Sequence, residues 1–439
     1  MLKSFLGGIH PKDSKNYTFG KAIEIPPLPK KVIIPVSQHI GAPCVPIVKV
    51  GDLVKKGQVI AKSDAFMHSP IHSSISGKVI EVSELPHASR AKCLAVVIEN
   101  DGLDEWIEGV PLHREWKKLD GEEIKNIIKE AGIVGLGGAT FPTHVKLSPS
   151  KDKKIDVFIL NAAECEPFLT ADYRMMLEYT ERIVTGVEIV MKVLNVKKGF
   201  VGVEDNKPEA VRVMKEAFKG SNVEVVSLPT KYPQGAEKML IKVLTNREVP
   251  VGGLPMDVGA VVQNVGTTIA ICDAVVNGIP LIERVTTVSG DAIKEPKNLL
   301  LRIGTKFRDV IDYCNGFSKT PEKIIMGGPM MGIAQFSLDV PIIKGVSGIV
   351  ALSPEAVNSG EESACIRCGR CVNACPMGLI PSMLSILGER QKFKEAKEEY
   401  SLFNCIECGS CTYTCPAKRN IVQYVKYLKA QNQAQPVSK

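Results

Sequence analysis

A chain of 439 residues, 44% hydrophobic and 23% charged, has the balance of a folded multi-domain protein with length for about three packed cores. That balance excludes a disordered or fibrous polymer. The formal charge of +7 is spread along the chain, so it reads as solvated surface and gives no reason to expect nucleic acid as a partner.

Met1 to His10 contain no long apolar segment with a cleavage site, so no targeting segment is expected. The most apolar window, Val258 to Ile282, is interrupted by Gln263, Asn264, Asp273 and Asn277, and is expected to be a buried helix and not a membrane span.

Residues 1–115 are rich in Val, Ile, Pro and Gly in short alternating runs, which predicts small β-structure. Val50-Gly51-Asp52-Leu53-Val54-Lys55-Lys56-Gly57-Gln58-Val59-Ile60 and Ser76-Gly77-Lys78-Val79 resemble the two halves of a biotinyl or lipoyl barrel. The turn that carries the modified lysine in such domains reads Ser63-Asp64-Ala65-Phe66-Met67 here. Lys62 lies beside it and not at its tip, which favours a fixed structural or docking domain over a swinging arm.

From about Leu119 helices and strands alternate. Asp120 and Glu123 predict a capping box, followed by Ile124, Ile127, Ile128 and Ala131 on one helical face as far as Gly132. A strand at Ile155 to Leu160, a long helix from Asp172, a strand at Phe200 to Val203, a helix from Pro208 to Phe218 and a strand at Val223 to Leu228 follow. This order predicts a layered α/β domain over residues 116–282 with a largely parallel sheet. Residues 283–352 return to a hairpin, a short helix (Phe307 to Cys314) and a strand (Lys323 to Met326), an order that resembles a β-grasp module of the soluble-ligand-binding type. Ser353 to Ala364 read as a polar linker. Residues 353–430 hold the cysteine-rich domain, with helical spacing from Ile380 to Tyr400, and the polar tail 431–439 is expected to fray.

One cysteine pattern is written twice. Cys365-Ile-Arg-Cys368-Gly-Arg-Cys371-Val-Asn-Ala-Cys375-Pro376 and Cys405-Ile-Glu-Cys408-Gly-Ser-Cys411-Thr-Tyr-Thr-Cys415-Pro416 both read C-x2-C-x2-C-x3-C-P. Three thiolates at that spacing wrap one 4Fe-4S cubane, and the fourth points toward the other cluster. The expected ligands are therefore Cys365, Cys368, Cys371 and Cys415 for one cluster, and Cys405, Cys408, Cys411 and Cys375 for the second. Structural zinc also uses C-x2-C pairs, but it has no use for the third cysteine and the Cys-Pro that follows. A disulfide framework fits still less, because Cys44, Cys93, Cys165, Cys272 and Cys314 are scattered singly, as small buried apolar residues would be.

Two loops at predicted strand or helix ends are unusual. Gly135-Leu136-Gly137-Gly138-Ala139-Thr140-Phe141-Pro142-Thr143-His144-Val145-Lys146 lets backbone approach a phosphate or a flat ring, and Asn161-Ala162-Ala163-Glu164-Cys165-Glu166-Pro167 ends the apolar strand. The dinucleotide G-x-G-x-x-G pattern fails at Thr140, and no strand runs directly into Gly135. A nucleotide-type site and a tight structural turn both stay open on pattern alone.

In the same order, these two loops, Tyr232-Pro233-Gln234-Gly235-Ala236-Glu237 and Gln263-Asn264-Val265-Gly266-Thr267 resemble the flavin and NADH motifs of the flavin-binding subunit of respiratory complex I. With Gly7-Gly8-Ile9-His10-Pro11 and Gln38-His39-Ile40-Gly41-Ala42-Pro43 added, nearly the whole chain resembles the C subunits of Rnf electron-transport complexes. That resemblance implies bound FMN lined by Gly137, Gly138, Lys146, Asn161, Glu164, Gly235, Asn264 and Thr267, with Gly135 and Ala139 in the same glycine loop. It implies Phe141 against the nicotinamide or adenine, and Glu164, Glu166 and Glu237 near the ribose and dihydronicotinamide. Ala236 and Ala163 depart from the complex I pattern, where a glutamate and an aspartate stand. The bland readings are an exposed acidic turn for the two glutamates and core packing for Phe141.

NADH gives up two electrons as a hydride and an iron–sulfur cluster accepts one, so a chain joining them needs a flavin between. No general base is needed, which leaves His113 and His144 without a required role. The function implied is an NADH-oxidising or NAD-reducing subunit that exchanges electrons with ferredoxin through partner subunits, among them integral membrane subunits and an iron–sulfur subunit. Its expected place is the cytoplasmic face of the cell membrane, held there by those partners. A soluble reductase of the cobalamin-reductase type and a non-catalytic docking subunit are the alternatives.

Overall fold

Two strand-rich regions, one layered α/β region and one helical region make up the computed structural model, which describes residues 4–150, 152–357 and 360–434. In the first region the strands Gly77–His87 and Arg90–Asn100 form a long hairpin, flanked by Lys31–Pro35 and Leu53–Val54. A second small sheet, Val45–Pro46 with Val59–Lys62 and Ile71–His72, closes over it. Alternation along these strands sends Val32, Ile34, Val54, Ile60, Ile71, Val79, Val96 and Ile98 into one shared core.

The central sheet is fully parallel, in the order Val223–Leu228, Lys198–Glu204, Val157–Ala162, Ala260–Asn264. The chain therefore steps outward for three strands and then returns to the free side of the first. The switch point of such a sheet lies between the first and the returning strand, at their carboxyl ends, where the connections part and leave a crevice. Asn161 and Asn264 are register partners at that point. Helices Gly121–Glu130, Ala171–Glu178, Thr180–Leu194, Pro208–Ala217 and Val265–Asn277 share the core on one face. Helix Glu237–Thr245 covers the other with Phe5.

Thr180–Leu194 and Val265–Asn277 cross so closely that a Cβ built on Gly186 would stand 2.2 Å from the Thr268 carbonyl oxygen. Gly186→Ala is thus expected to force the two helices apart and to cost ~1–3 kcal/mol. A lowered unfolding midpoint of the central region, read by thermal denaturation, checks this.

The β-grasp region pairs Glu283–Ser289 with Lys297–Arg302 antiparallel and with Gly348–Leu352 parallel, while Lys323–Met326 and Ile333–Ala334 complete the sheet. Helix Phe307–Tyr313 packs on it through Phe307, Val310 and Ile311. The helical region is built from Arg370–Ala374, Pro381–Glu389, Phe393–Glu398, Ser410–Tyr413 and Ile421–Ala434.

A strap near the start of the chain ties the regions together. Phe5 enters the sheet core, the Gly8 amide donates to the Ala374 carbonyl at 2.9 Å, and Ile9 bridges Tyr232. Phe19 stacks on Tyr173 with ring centroids 4.1 Å apart, and Ile23–Glu24 adds an edge strand beside Asn298 and Leu299.

Three expectations change. The long helix from Asp172 is two, because Tyr179 leaves helical geometry (φ −123°, ψ 31°) and the Thr180 hydroxyl donates back to the Met176 carbonyl. The window Val258 to Ile282 is a buried strand and then a helix: left-handed Gly259 ends the preceding turn, and the Asn264 side chain caps the helix by accepting from the Thr267 amide. The helical spacing of Ile380 to Tyr400 is realised as two helices, Pro381–Glu389 and Phe393–Glu398. Residues 431–434 continue the last helix, while 435–439 of the expected tail and 358–359 of the expected linker lie outside the described residues.

Candidate functional site

The crevice at the switch point is lined by all four loops singled out above. The Asn161 side chain donates to the Gly235 carbonyl at 2.8 Å and accepts from the Ala163 amide. Asn264 uses both ends of its amide, capping the helix with its oxygen and donating to Asp172 Oδ2 at 2.7 Å. Thr267 is buried, and its hydroxyl accepts from the Leu136 amide at 2.8 Å, which fixes the glycine loop against the helix N-terminus. Above that anchor Gly137, Gly138 and Ala139 are exposed. Their three successive amides donate to no group among the described residues. Gly138 has φ 121° and open space where a side chain would be. Consecutive free amides on a turn make a concave donor surface for an anion or for the polar edge of a ring.

The acidic loop after the first strand is held differently from expectation. Glu164, at φ 48°, turns its carboxylate onto the amides of Asp172 (2.7 Å) and Tyr173 (3.2 Å) and so caps the next helix. Glu166 accepts from the Met330 and Met331 amides at 3.1 and 2.8 Å, which ties the crevice to a β-grasp turn. Burial pushes Glu166 up to about 7, against the pull of those two amides. Neither carboxylate is a free arm reaching for a ribose. Glu237 pairs with Lys146 at 2.5 Å, so each of these two expected ligand contacts occupies the other.

Two buried lysines hold the loop from below. Lys15 Nζ donates to the carbonyls of Glu164, Glu166 and Leu169, and Lys207 Nζ to that of Ala163. Burial, and then the nearby Lys207 charge, lowers Lys15 from the ordinary lysine range. Asp172 is half-buried, and desolvation with the Glu164 charge beside it raises it to about 7. His144 is buried against the barrel region, its Nε2 3.5 Å from the Phe66 carbonyl, and is neither a solvated loop residue nor in the crevice. Phe141 is half-buried, and its carbonyl accepts from Gly135.

The cysteines gather in two sets. Cys365, Cys368, Cys371 and Cys415 line one cavity and Cys375, Cys405, Cys408 and Cys411 line another, so each cavity draws its fourth sulfur from the other motif. Among the described residues no three His, Cys, Asp or Glu converge on a single-ion position. A cubane takes one thiolate on each iron, so its ligands ring a cavity instead of meeting at a point. The donor set fits: amides of Leu379 and Glu407 donate to Cys375 and Cys405 sulfur at 3.4 and 3.3 Å. Of the five single cysteines, Cys44, Cys93, Cys272 and Cys314 are buried, whereas Cys165 is half-buried and its sulfur accepts from the Gly235 amide at 3.2 Å.

Comparison with known proteins follows this geometry. Residues 128–273 match the family model described as the Nuo51 FMN-binding domain, and residues 3–103 match the RnfC barrel sandwich hybrid domain. Residues 285–334 match the SLBB domain and 359–416 a 4Fe-4S dicluster domain. The C subunit of the proton-translocating ferredoxin:NAD(+) oxidoreductase complex of Clostridium ljungdahlii is 67% identical over 99% of this chain and 95% of its own length. This chain belongs to the RnfC family. Its counterpart in the Na(+)-translocating ferredoxin:NAD(+) oxidoreductase complex of Acetobacterium woodii is 49% identical over 98% of both chains. Another RnfC-family relative, from the ion-translocating oxidoreductase complex of Rhodobacter capsulatus, is 43% identical over 87% of this chain and 74% of its own. A solved chain of the NAD+-reducing [NiFe]-hydrogenase in its H2-reduced state shares the fold at TM-score 0.51 and 19% identity, covering 76% of this chain and 66% of that one.

Sequence reasoning missed Lys15, Lys207 and Asp172. Asp172 stands eight residues after Glu164, beyond the spacing of a capping box, so pattern could not join them. Lys15 meets its carbonyl partners about 150 residues away, where no local signal exists.

Proposed function

We propose that this RnfC-family chain is the NADH-oxidising, or NAD-reducing, subunit of a membrane-associated ferredoxin:NAD oxidoreductase complex that couples electron flow to ion translocation. FMN in the switch-point crevice would supply the exchange between a two-electron hydride and single electrons. The Gly137, Gly138 and Ala139 amides would hold its anionic or carbonyl groups, with Gly135, Asn161, Gly235, Asn264 and Thr267 as the rigid frame. Lys146 and Glu237 would part to serve phosphate and nicotinamide ribose. Phe141 would flank the nicotinamide. Glu164 and Glu166 act by fixing the loop, not by touching the substrate.

The single observation carrying this reading is the direct contact between the crevice and one cysteine set. Cys165, Tyr232, Met330 and Ile406 pack with Cys408 and Ala374 in one apolar junction. The Cys375, Cys405, Cys408 and Cys411 set therefore stands on the flavin side. The other set carries exposed Cys368 and faces outward, toward the subunit that exchanges electrons with this one. No helix of the described residues is long and apolar enough to cross a membrane, so attachment to the cytoplasmic face would come through integral membrane partners. Anaerobic purification tests this. About one FMN and about eight irons per chain, bleached by NADH, is the expected result; a colourless protein, or a brown one that NADH leaves unchanged, overturns it.

A further inference from the structure

The loop from Lys231 to Glu237 belongs to both redox sites at once. At its end Gly235 touches the crevice, accepting from Asn161, and touches Cys165 through its amide. Three residues earlier Tyr232 is 1% exposed, and its hydroxyl donates to the Cys408 carbonyl at 2.7 Å. Tyr232 also pairs by its backbone with Ile9 of the strap, and the strap grips the Ala374 carbonyl one residue before Cys375. One phenol, on a loop anchored to the crevice, thus meets the backbone of a cysteine at the flavin-side cavity.

We infer that Tyr232 is a positioning residue for electron transfer, its hydroxyl raising the reduction potential of the flavin-side cluster and fixing that cluster's distance from the crevice. This rests on the function proposed above. The electrostatic reason is direct. Reduction would add one negative charge to a cluster held by these cysteines. A hydrogen-bond donor aimed at a ligand's peptide puts the positive end of its dipole toward that charge and polarises the peptide further. In a buried apolar junction water cannot screen the effect. Tyr232 packing alone, without the hydroxyl, would hold distance but not potential, and that separates the two roles.

The test uses the full chain with its cofactors and an EPR-monitored redox titration of Tyr232→Phe. The expected result is a lower midpoint for the cluster of Cys375, Cys405, Cys408 and Cys411 by about one hydrogen bond's worth, roughly tenfold in equilibrium, which is ~59 mV for one electron. The outward cluster and the flavin stay where they were. A 3,5-difluorotyrosine at position 232, a stronger donor of the same shape, shifts the same midpoint upward and decides the matter if the phenylalanine chain loads poorly. An unmoved flavin-side midpoint in the loaded variants, or an equal movement of both clusters, overturns the inference. Failure of the proposed function would show in the unmodified chain, as missing flavin or missing iron.

Discussion

Cys375→Ala strips the iron from the cavity of the second cysteine motif and leaves that of its own motif filled. Iron falls from about eight to about four per chain, and the surviving EPR signal is the one lost in Cys368→Ala, not the one lost in Cys408→Ala. The reason is the crossed lining of the two cavities, in which Cys375 joins Cys405, Cys408 and Cys411. Because that set adjoins the crevice, the same variant keeps bleaching its flavin with NADH but no longer reduces acceptors beyond the clusters. Cys415→Ala, on the outward side, leaves the flavin-side signal intact. If Cys375→Ala instead removed the signal lost in Cys368→Ala, each motif would bind its own cluster and the crossed assignment would fall.

Lys207→Met is expected to cost ~3–5 kcal/mol, because it leaves a carboxylate buried without a partner. The Lys207 and Glu204 side chains are 0% and 1% exposed, Lys207 Nζ donates to Glu204 Oε2 at 2.8 Å, and Glu204 Oε1 has no hydrogen-bond partner among the described residues. The same ammonium holds the Ala163 carbonyl, so the acidic loop slackens and flavin retention falls with stability. Adding Glu204→Leu to Lys207→Met removes the orphaned charge and recovers most of the stability, since a buried ion pair exchanged for apolar groups is often near neutral. Flavin retention does not recover, because the loop still lacks its donor. Thermal unfolding and flavin content measured on the single and double variants check both statements.

The fold was legible where a rule is local. The Asp120 and Glu123 capping box forms as predicted, and the double cysteine ladder carries its own geometry in its spacing. The loops of the crevice were legible through composition and through their order along the chain. What they do there was not. Glu164 and Glu166 read as free acids because the helix amides of Asp172 and Tyr173 lie beyond capping-box spacing from Glu164, and the turn at Met330 and Met331 becomes a neighbour of Glu166 only when the regions dock. Asn264 read as part of one apolar helix, because hydropathy averages over the strand-to-helix turn that its side chain caps. Buried Lys15 was invisible for a related reason: a cation whose partners are main-chain carbonyls leaves no complementary residue type to find.

The strap through Phe5, Gly8, Ile9, Lys15 and Ile23–Glu24 has a consequence for how the chain matures. Its residues leave the ribosome long before Ala374 and Asn298, so Gly8 waits for its hydrogen-bond partner and Ile23 for its strand partner. Docking of the strap is therefore a late, long-range event that completes only once Ala374, in the first cysteine motif, is translated. An extension fused ahead of Phe5 would be carried straight to the seam between the flavin crevice and its neighbouring cysteine set.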